Sequence, residues 1–169
     1  MRFVREMQAL DFGAGTGLVS LGLLPDVSHV TAVDASSEML RVLDEKLRAA
    51  KITHVRTLRC DIARAPLPAN QFDLVVSSMV LHHLPDVAAV LQRLRPTLRA
   101  GGWIALADLD TEDGSFHSDM AGVFHKGLDR AEVIGQLSLG VVPEVVSTRP
   151  IVWGSRRTAS LTLFLGRLR

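Results

Sequence analysis

The sequence is poor in the residues on which several functional classes depend. It contains one cysteine and no tyrosine, and aromatic residues make up 5% of its 169 positions. A single cysteine excludes an internal disulfide and a cysteine-rich metal site. The small number of cysteines therefore makes a reducing, cytoplasmic setting the default expectation.

Long apolar runs and an excess of one charge are also lacking. Hydrophobic residues make up 47% of the chain, but no run approaches the roughly 18 apolar residues of a membrane-spanning helix. The start carries Arg2, Arg5 and Glu6 and leads into no signal-peptide core. The 19 Lys and Arg are balanced by 18 Asp and Glu, so no basic surface for nucleic acid is predicted. We expect a single domain over residues 1–169 that binds neither membrane nor nucleic acid.

Three glycines are clustered at positions 13, 15 and 17, directly after Asp11 and Phe12. Glycine lets the backbone turn sharply out of a strand and approach a ligand, and residues 16–24 can then open a helix whose first amides point at that ligand. A dinucleotide-binding loop has its third glycine one place later, where this chain has Leu18. The loop predicts a nucleotide-type cofactor, and its register disfavours a dinucleotide.

Two acidic residues follow later apolar segments. Asp34 ends the run from Val30, and Asp61 follows the segment from Val55 to Cys60. A carboxylate can accept two hydroxyl hydrogen bonds at once. A third apolar segment, at residues 72–77, precedes the sequence Val-Leu-His-His-Leu-Pro-Asp at 80–86.

Taken in this order, the segments resemble class I S-adenosylmethionine-dependent methyltransferases, in particular the small-molecule group that includes the ubiquinone and menaquinone enzymes. The motifs cover residues 8–110, and beyond them only the layout is similar. The resemblance implies an enzyme that transfers a methyl group to an unidentified small-molecule acceptor by in-line displacement and leaves S-adenosylhomocysteine. It implies that Asp34 binds the ribose hydroxyls and Asp61 the adenine amino group. The predicted cofactor-binding residues are Asp11, Gly13, Ala14, Gly15, Gly17, Asp34, Ala35, Met39, Asp61, Ile62 and Ser77.

The candidates for catalysis and acceptor binding are mainly histidines. His82 and His83 follow the fourth predicted strand, so both should face the reactive end of the cofactor and could act as a base; a loop-shaping or cofactor-packing role is the alternative. His117, Phe124 and His125 lie after the fifth strand, where the family often builds its acceptor pocket. The Asn-Pro-Pro-Tyr type of motif found in nucleic-acid amino-methylating enzymes is replaced by Ser-Ser-Met-Val at 77–80.

The acidic run from Asp108 to Asp113 suggests a calcium loop. Its glycine falls one position too late, and the twelfth residue is Asp119 rather than the Glu that closes such loops. We expect an ordinary acidic turn and no metal site.

The alternation of strand-like and helix-like segments predicts an α/β fold with a doubly wound, Rossmann-like, mostly parallel sheet. The resemblance implies the seven-strand methyltransferase type with an antiparallel last strand beside the fifth. A helix should begin at Ser36 and bury Met39, Val42, Leu43 and Leu47. A later helix should be bent at Pro96 and end at Gly101–Gly102. The C-terminal part is predicted to contain a helix over 128–139, short strands at 144–147 and 161–165, and a solvated turn at Arg156–Arg157.

The glycine loop also lies close to Met1, whereas family enzymes usually carry several tens of residues before it that cover the cofactor. We therefore expect the domain to lack most of the usual N-terminal helical cover. This leaves a non-catalytic or truncated cofactor-binding module as an alternative function, and a dinucleotide-dependent oxidoreductase as a further one. Exposed apolar surface on the open side would favour a homo-oligomer that covers it.

Overall fold

A computed structural model describes residues 6–62, 65–138, 141–153 and 157–168. Within these residues the strands are β1 Gln8–Phe12, β2 His29–Asp34, β3 Val55–Arg59, β4 Phe72–Ser78, β5 Leu98–Leu109, β6 Val141–Trp153 and β7 Arg157–Leu168. The helices are α1 Leu18–Leu23, α2 Ser37–Ala49, α3 Val87–Leu94 and α4 Arg130–Leu137, with short 3-10 turns at Leu81–His83 and Arg95–Thr97. None of the described helices is long and apolar enough to cross a membrane.

The strands form one sheet in the order β3-β2-β1-β4-β5-β7-β6. Strands β1 to β5 pair in parallel, and β7 runs antiparallel between β5 and β6. This arrangement confirms the predicted α/β class with a mostly parallel sheet and an antiparallel last strand. The chain order reverses between β1 and β4, and ligands of such sheets bind outside the carboxyl ends of the strands at this switch point.

The core lies on both faces of the central strands. Leu10 of β1, Leu74 and Val75 of β4 and Ile104 of β5 are at most 1% exposed. Strands covered on both faces need apolar side chains in both directions, which explains their continuous apolar runs. Leu43 and Leu47 of α2 pack on one face of the sheet with Ala32.

Side chains cap three of the helices at their first turn. Ser36 accepts a hydrogen bond from the Met39 amide at 3.3 Å, as predicted, and Asp86 and Asp129 play the same role for α3 and α4. The buried residues of α2 are Leu40, Leu43 and Leu47, which confirms the prediction for Leu43 and Leu47. Met39 is 46% exposed and Val42 is half-buried, so the prediction was wrong for these two.

Element boundaries were predicted less well. Helix α3 ends at Leu94, before Pro96, and Gly101–Gly102 lie inside β5 rather than at a helix end. Helix α4 is shorter than the predicted 128–139, and β6 and β7 are much longer than the predicted short strands. Residues 139 and 154–156 lie outside the described residues, and with them most of the predicted arginine turn.

Candidate functional site

A cavity of about 370 Å³ lies at the carboxyl ends of the parallel strands, and we call it the strand-end cavity. Its wall includes the last residue of β1, the last residue of β2 and the residues that follow β3 and β4. Another cavity of about 380 Å³ lies near the amino ends of the strands, which is not where sheets of this kind bind ligands. The residues lining the strand-end cavity are Phe12, Gly13, Gly15, Asp34, Ala35, Ser36, Met39, Cys60, Asp61, Ile62, Met79, Val80, His83 and Leu84.

The glycine loop forms one side of this cavity. Gly17 has φ +88°, and a Cβ atom there would lie 2.3 Å from a methyl group of Leu43, so this glycine allows close packing on α2. Gly15 has φ +53°, and a Cβ atom there would meet nothing within 4 Å. Gly15 therefore presents bare backbone to the cavity, which is the arrangement that a closely approaching ligand needs.

Asp34 holds this loop to the end of β2. One carboxylate oxygen accepts the Gly15 amide and the other accepts the Ser36 amide, both at 2.8 Å. A carboxylate offers about four lone-pair positions, so each oxygen keeps capacity for a further donor. Asp34 lines the cavity and can therefore accept two hydroxyl groups of a ligand while it keeps the loop in place.

The segment after β3 forms the facing wall. The Cys60 amide donates to the Asp34 carbonyl at 3.0 Å, which brings Asp61 and Ile62 beside the carboxylate. Ile62 is buried, and its carbonyl accepts a hydrogen bond from Arg93 at 2.9 Å. Burial, together with the charge of Asp61, raises the pKa of the Cys60 thiol, which disfavours the nucleophilic thiolate.

Four predicted cofactor residues, Asp11, Ala14, Gly17 and Ser77, do not line the cavity. The Asp11 carboxylate is 1% exposed and accepts a hydrogen bond from Ser20 Oγ at 2.6 Å. Burial raises its pKa to about 6, against the lowering effect of Ser20. The Ser77 hydroxyl is buried without a hydrogen-bond partner among the described residues.

The two histidines after β4 have different surroundings. His83 is exposed and lines the strand-end cavity. His82 is 1% exposed and lies outside its wall, with Nδ1 2.5 Å from Asp108 Oδ1. The expectation that both rings face the cavity is therefore wrong for His82, because the carboxylate at the end of β5 holds this ring in the interior.

Asp108 organises the turn that carries both histidines. Its carboxylate accepts the amides of Val80 at 3.0 Å, Leu81 at 2.7 Å and Leu109 at 2.8 Å. A carboxylate held by three backbone donors is an acceptor, so the contact with His82 is a donation from Nδ1. In the neutral form of His82 this donation leaves the lone pair on Nε2.

Of the three predicted acceptor contacts, His117 places its ring beside the rings of both histidines. Its ring centre is 5.0 Å from that of His82 and 5.8 Å from that of His83. Phe124 and His125 meet the turn through their backbone amides, which donate to the His82 carbonyl at 3.0 and 3.1 Å. His125 donates through Nε2 to the Leu84 carbonyl at 2.9 Å, since a carbonyl can only accept. Phe124 is 59% exposed, and neither it nor His125 lines the strand-end cavity.

The carboxylates of the acidic run are engaged by protein donors. Asp110 forms an ion pair with Arg130. Glu112 accepts the amides of Gly114 and Phe116 through Oε2. Asp113 accepts the Ser115 amide. These contacts account for the run as a structured turn after β5.

Sequence reasoning did not identify several lining residues, namely Phe12, Ser36, Cys60, Met79, Val80 and Leu84. All of them are close neighbours of predicted residues in the sequence. Their positions at or after strand ends could have identified them as lining residues. Met79 adopts φ +58°, which is uncommon for a non-glycine residue and is often found at functional sites.

Comparison with known sequences gives a consistent result. A family model described as a methyltransferase domain matches residues 10–106. An uncharacterized methyltransferase of Schizosaccharomyces pombe is 33% identical over 164 residues, covering 80% of this chain and 58% of that protein. A demethylmenaquinone methyltransferase of Listeria welshimeri is 32% identical over 111 residues, covering 64% of this chain and 47% of that protein. The chain thus spans only part of the length of these relatives.

Solved structures share the fold. The YcgJ protein of Bacillus subtilis superposes with a TM-score of 0.85 at 17% identity, covering 98% of this chain and 93% of that one. A SAM-dependent methyltransferase from Aquifex aeolicus gives a TM-score of 0.71 at 22% identity, covering 95% and 81%. At these identities the superpositions establish a common architecture.

Proposed function

Because this chain belongs to the methyltransferase domain family, we propose that it binds S-adenosylmethionine in the strand-end cavity and methylates a small-molecule acceptor. The observation that carries this proposal is the pairing of Gly15 with Asp34. Bare backbone and a carboxylate with spare lone pairs lie side by side at the switch point of the sheet. Bare backbone allows a ligand to approach closely, and the carboxylate can accept the hydroxyl groups of a ribose.

The remaining wall fits the other parts of such a cofactor. Its volume of about 370 Å³ lies within the usual range for small-molecule sites, about 300–1,000 Å³. Met39, Ile62 and Val80 supply apolar surface for a purine ring, while Asp61 supplies an acceptor for an exocyclic amino group. We assign the ribose hydroxyls to Asp34 and the adenine to the wall formed by Asp61 and Ile62.

The bound cofactor supplies an electrophilic methyl group on a sulfonium. The tasks of the protein are therefore to align the acceptor with that methyl group and to exclude water. His83 is the titratable ring in the cavity wall, so we propose it, rather than the buried His82, as the group that contacts the acceptor or takes its proton.

A small acceptor is supported by the balanced charge of the chain and by the Ser-Ser-Met-Val sequence at 77–80. Base-flipping enzymes stack the flipped base on side chains of the pocket, and the segment at 77–80 lacks the Tyr that the motif of the amino-methylating enzymes provides for this. The relationship to demethylmenaquinone methyltransferases makes a quinol-like ring with a nucleophilic carbon or oxygen a reasonable first acceptor to assay.

Isothermal titration calorimetry tests the cofactor assignment. We expect S-adenosylhomocysteine to bind the wild-type chain and NAD to give no signal. Asp34→Ala removes an acceptor for two hydroxyl groups, and hydrogen bonds to charged groups contribute about 1.5–3 kcal/mol each. The affinity should therefore fall by roughly 100-fold or more.

Asp26→Ala is the matched control, because this exposed aspartate lies in the turn after α1 and outside the cavity wall. It should bind S-adenosylhomocysteine like the wild type. Binding of NAD without S-adenosylhomocysteine, or equal affinities for the two aspartate variants, would overturn the proposal.

A further inference from the structure

We propose that His82, His83 and His117 form a binding site for a divalent transition-metal ion at the border of the strand-end cavity. One ring nitrogen from each of the three residues can be chosen so that all three lie within 4.8 Å of one another. Imidazole nitrogen is a preferred ligand of zinc and its neighbours in the periodic table. This site departs from the sequence-based expectation of no metal.

The hydrogen bonds of two of these rings prepare them as ligands. His82 donates through Nδ1 to Asp108, as described above. The Nδ1 of His83 lies 2.8 Å from the Gly122 carbonyl, which can only accept, so this nitrogen also donates. Both rings therefore carry their lone pair on Nε2. Metal-binding histidines almost always donate their second nitrogen to a carboxylate or carbonyl in this way.

The carboxylate of Asp108, which accepts from His82, is itself held in place. Asp108 is 1% exposed and is fixed by three backbone amides from two chain segments. It therefore holds His82 in one orientation without needing to move. Outer partners of this kind orient the ligand ring and raise its basicity.

The rings must close slightly around an ion. Tetrahedral zinc with Zn–N distances of about 2.0–2.1 Å places its ligand nitrogens roughly 3.4 Å apart, against a limit of 4.8 Å here. The nitrogens that meet this limit thus need to approach one another by at most about 1.4 Å. His117 lies in the loop between β5 and α4, and His83 is exposed, so small movements of these two rings do not disturb the core.

Three protein ligands leave a fourth position of a tetrahedral ion open, as in catalytic zinc sites. His83 lines the strand-end cavity, so the open position would adjoin the place proposed for the cofactor. With the ion bound, His83 serves as a ligand and not as the base, and an acceptor oxygen or nitrogen at the open position would be polarised by the ion. This role rests on the proposed function, whereas metal binding itself does not.

The test is a titration of the untagged full chain with Zn²⁺ in the absence of cofactor. We expect one ion per chain, and an affinity at least tenfold lower in both His83→Asn and His117→Asn. His29→Asn is the control, because this exposed histidine lies at the start of β2 and outside the cluster. It should bind like the wild type. Substitution of Co²⁺ should give the intense visible absorption of a tetrahedral site.

Thermal unfolding of each variant without metal verifies that the fold is retained. Absence of Zn²⁺ binding to the wild type, or binding that neither cluster variant weakens, would overturn the metal site. A lack of S-adenosylhomocysteine binding in the separate calorimetric experiment would overturn the proposed function and leave the metal site standing.

Discussion

Replacing Gly15 by alanine should weaken ligand binding more than it weakens the fold. The added methyl group would meet no protein atom within 4 Å, since the glycine faces the open cavity. The variant should therefore fold, but its methyl group would occupy the position to which the proposed cofactor comes closest.

The cost to the fold follows from the backbone angle. Gly15 has φ +53°, and a left-handed conformation costs an alanine about 1–2 kcal/mol. Part of this is offset, because alanine lowers the entropy of the unfolded chain by an equivalent of about 0.4–1 kcal/mol. The net loss of roughly 1 kcal/mol corresponds to a decrease of about 2–4 °C in melting temperature.

The cost to binding should be larger. Overpacking by one methyl group typically costs about 1–3 kcal/mol, which corresponds to a roughly 5- to 150-fold loss of affinity for S-adenosylhomocysteine. Calorimetry and thermal unfolding of the same preparation measure both quantities.

Gly101→Ala is the matched control. Gly101 has φ +73°, and a Cβ atom there would lie 3.5 Å from the flexible end of Arg167, far from the cavity wall. It should show a similar loss of stability with unchanged affinity. If Gly15→Ala bound S-adenosylhomocysteine as tightly as Gly101→Ala, the glycine face would not be the cofactor site.

Two further predictions concern pH and association. Burial raises the pKa of Asp11 from 3.8 to about 6 despite the Ser20 hydrogen bond, so the proton-linked stability is complete below the unfolded pKa and is lost as the pH rises through about 6. In urea unfolding, the stability of the wild type relative to Asp11→Asn should fall by roughly 2.4 kcal/mol from about pH 4 to about pH 7; a flat difference would refute this. Leu18, Met39 and Phe124 are 86%, 46% and 59% exposed, so sedimentation should show concentration-dependent association, and a monomer at all concentrations would contradict it.

The residues at the carboxyl ends of strands could be predicted to belong to the site. The glycine loop and Asp34 each follow the end of a strand, and parallel strands bring their carboxyl ends to one edge of the sheet. The structure places both in the wall of the same cavity. Their binding roles remain predictions.

The parts that depend on distant pairing were not predictable. The contact of His82 with Asp108 requires β4 and β5 to pair so that Ser78 lies opposite Ala107. His117 reaches the same place through a loop without periodic pattern, so the three-histidine cluster had no signal in residue spacing.

Strand lengths at the C-terminal end were underestimated for a physical reason. Strand β6 continues through Pro143 and Pro150, and it is an edge strand of the sheet. An edge strand tolerates proline because an amide that faces away from the neighbouring strand forms no ladder hydrogen bond. Sequence alone does not reveal which strand is at the edge.

A crystal structure of the chain with S-adenosylhomocysteine tests the central claim most directly. We expect the ligand to occupy the strand-end cavity, with its ribose hydroxyls within hydrogen-bond distance of Asp34 and its adenine amino group beside Asp61. Ligand density elsewhere on the chain, or a ribose that makes no contact with Asp34, would contradict it.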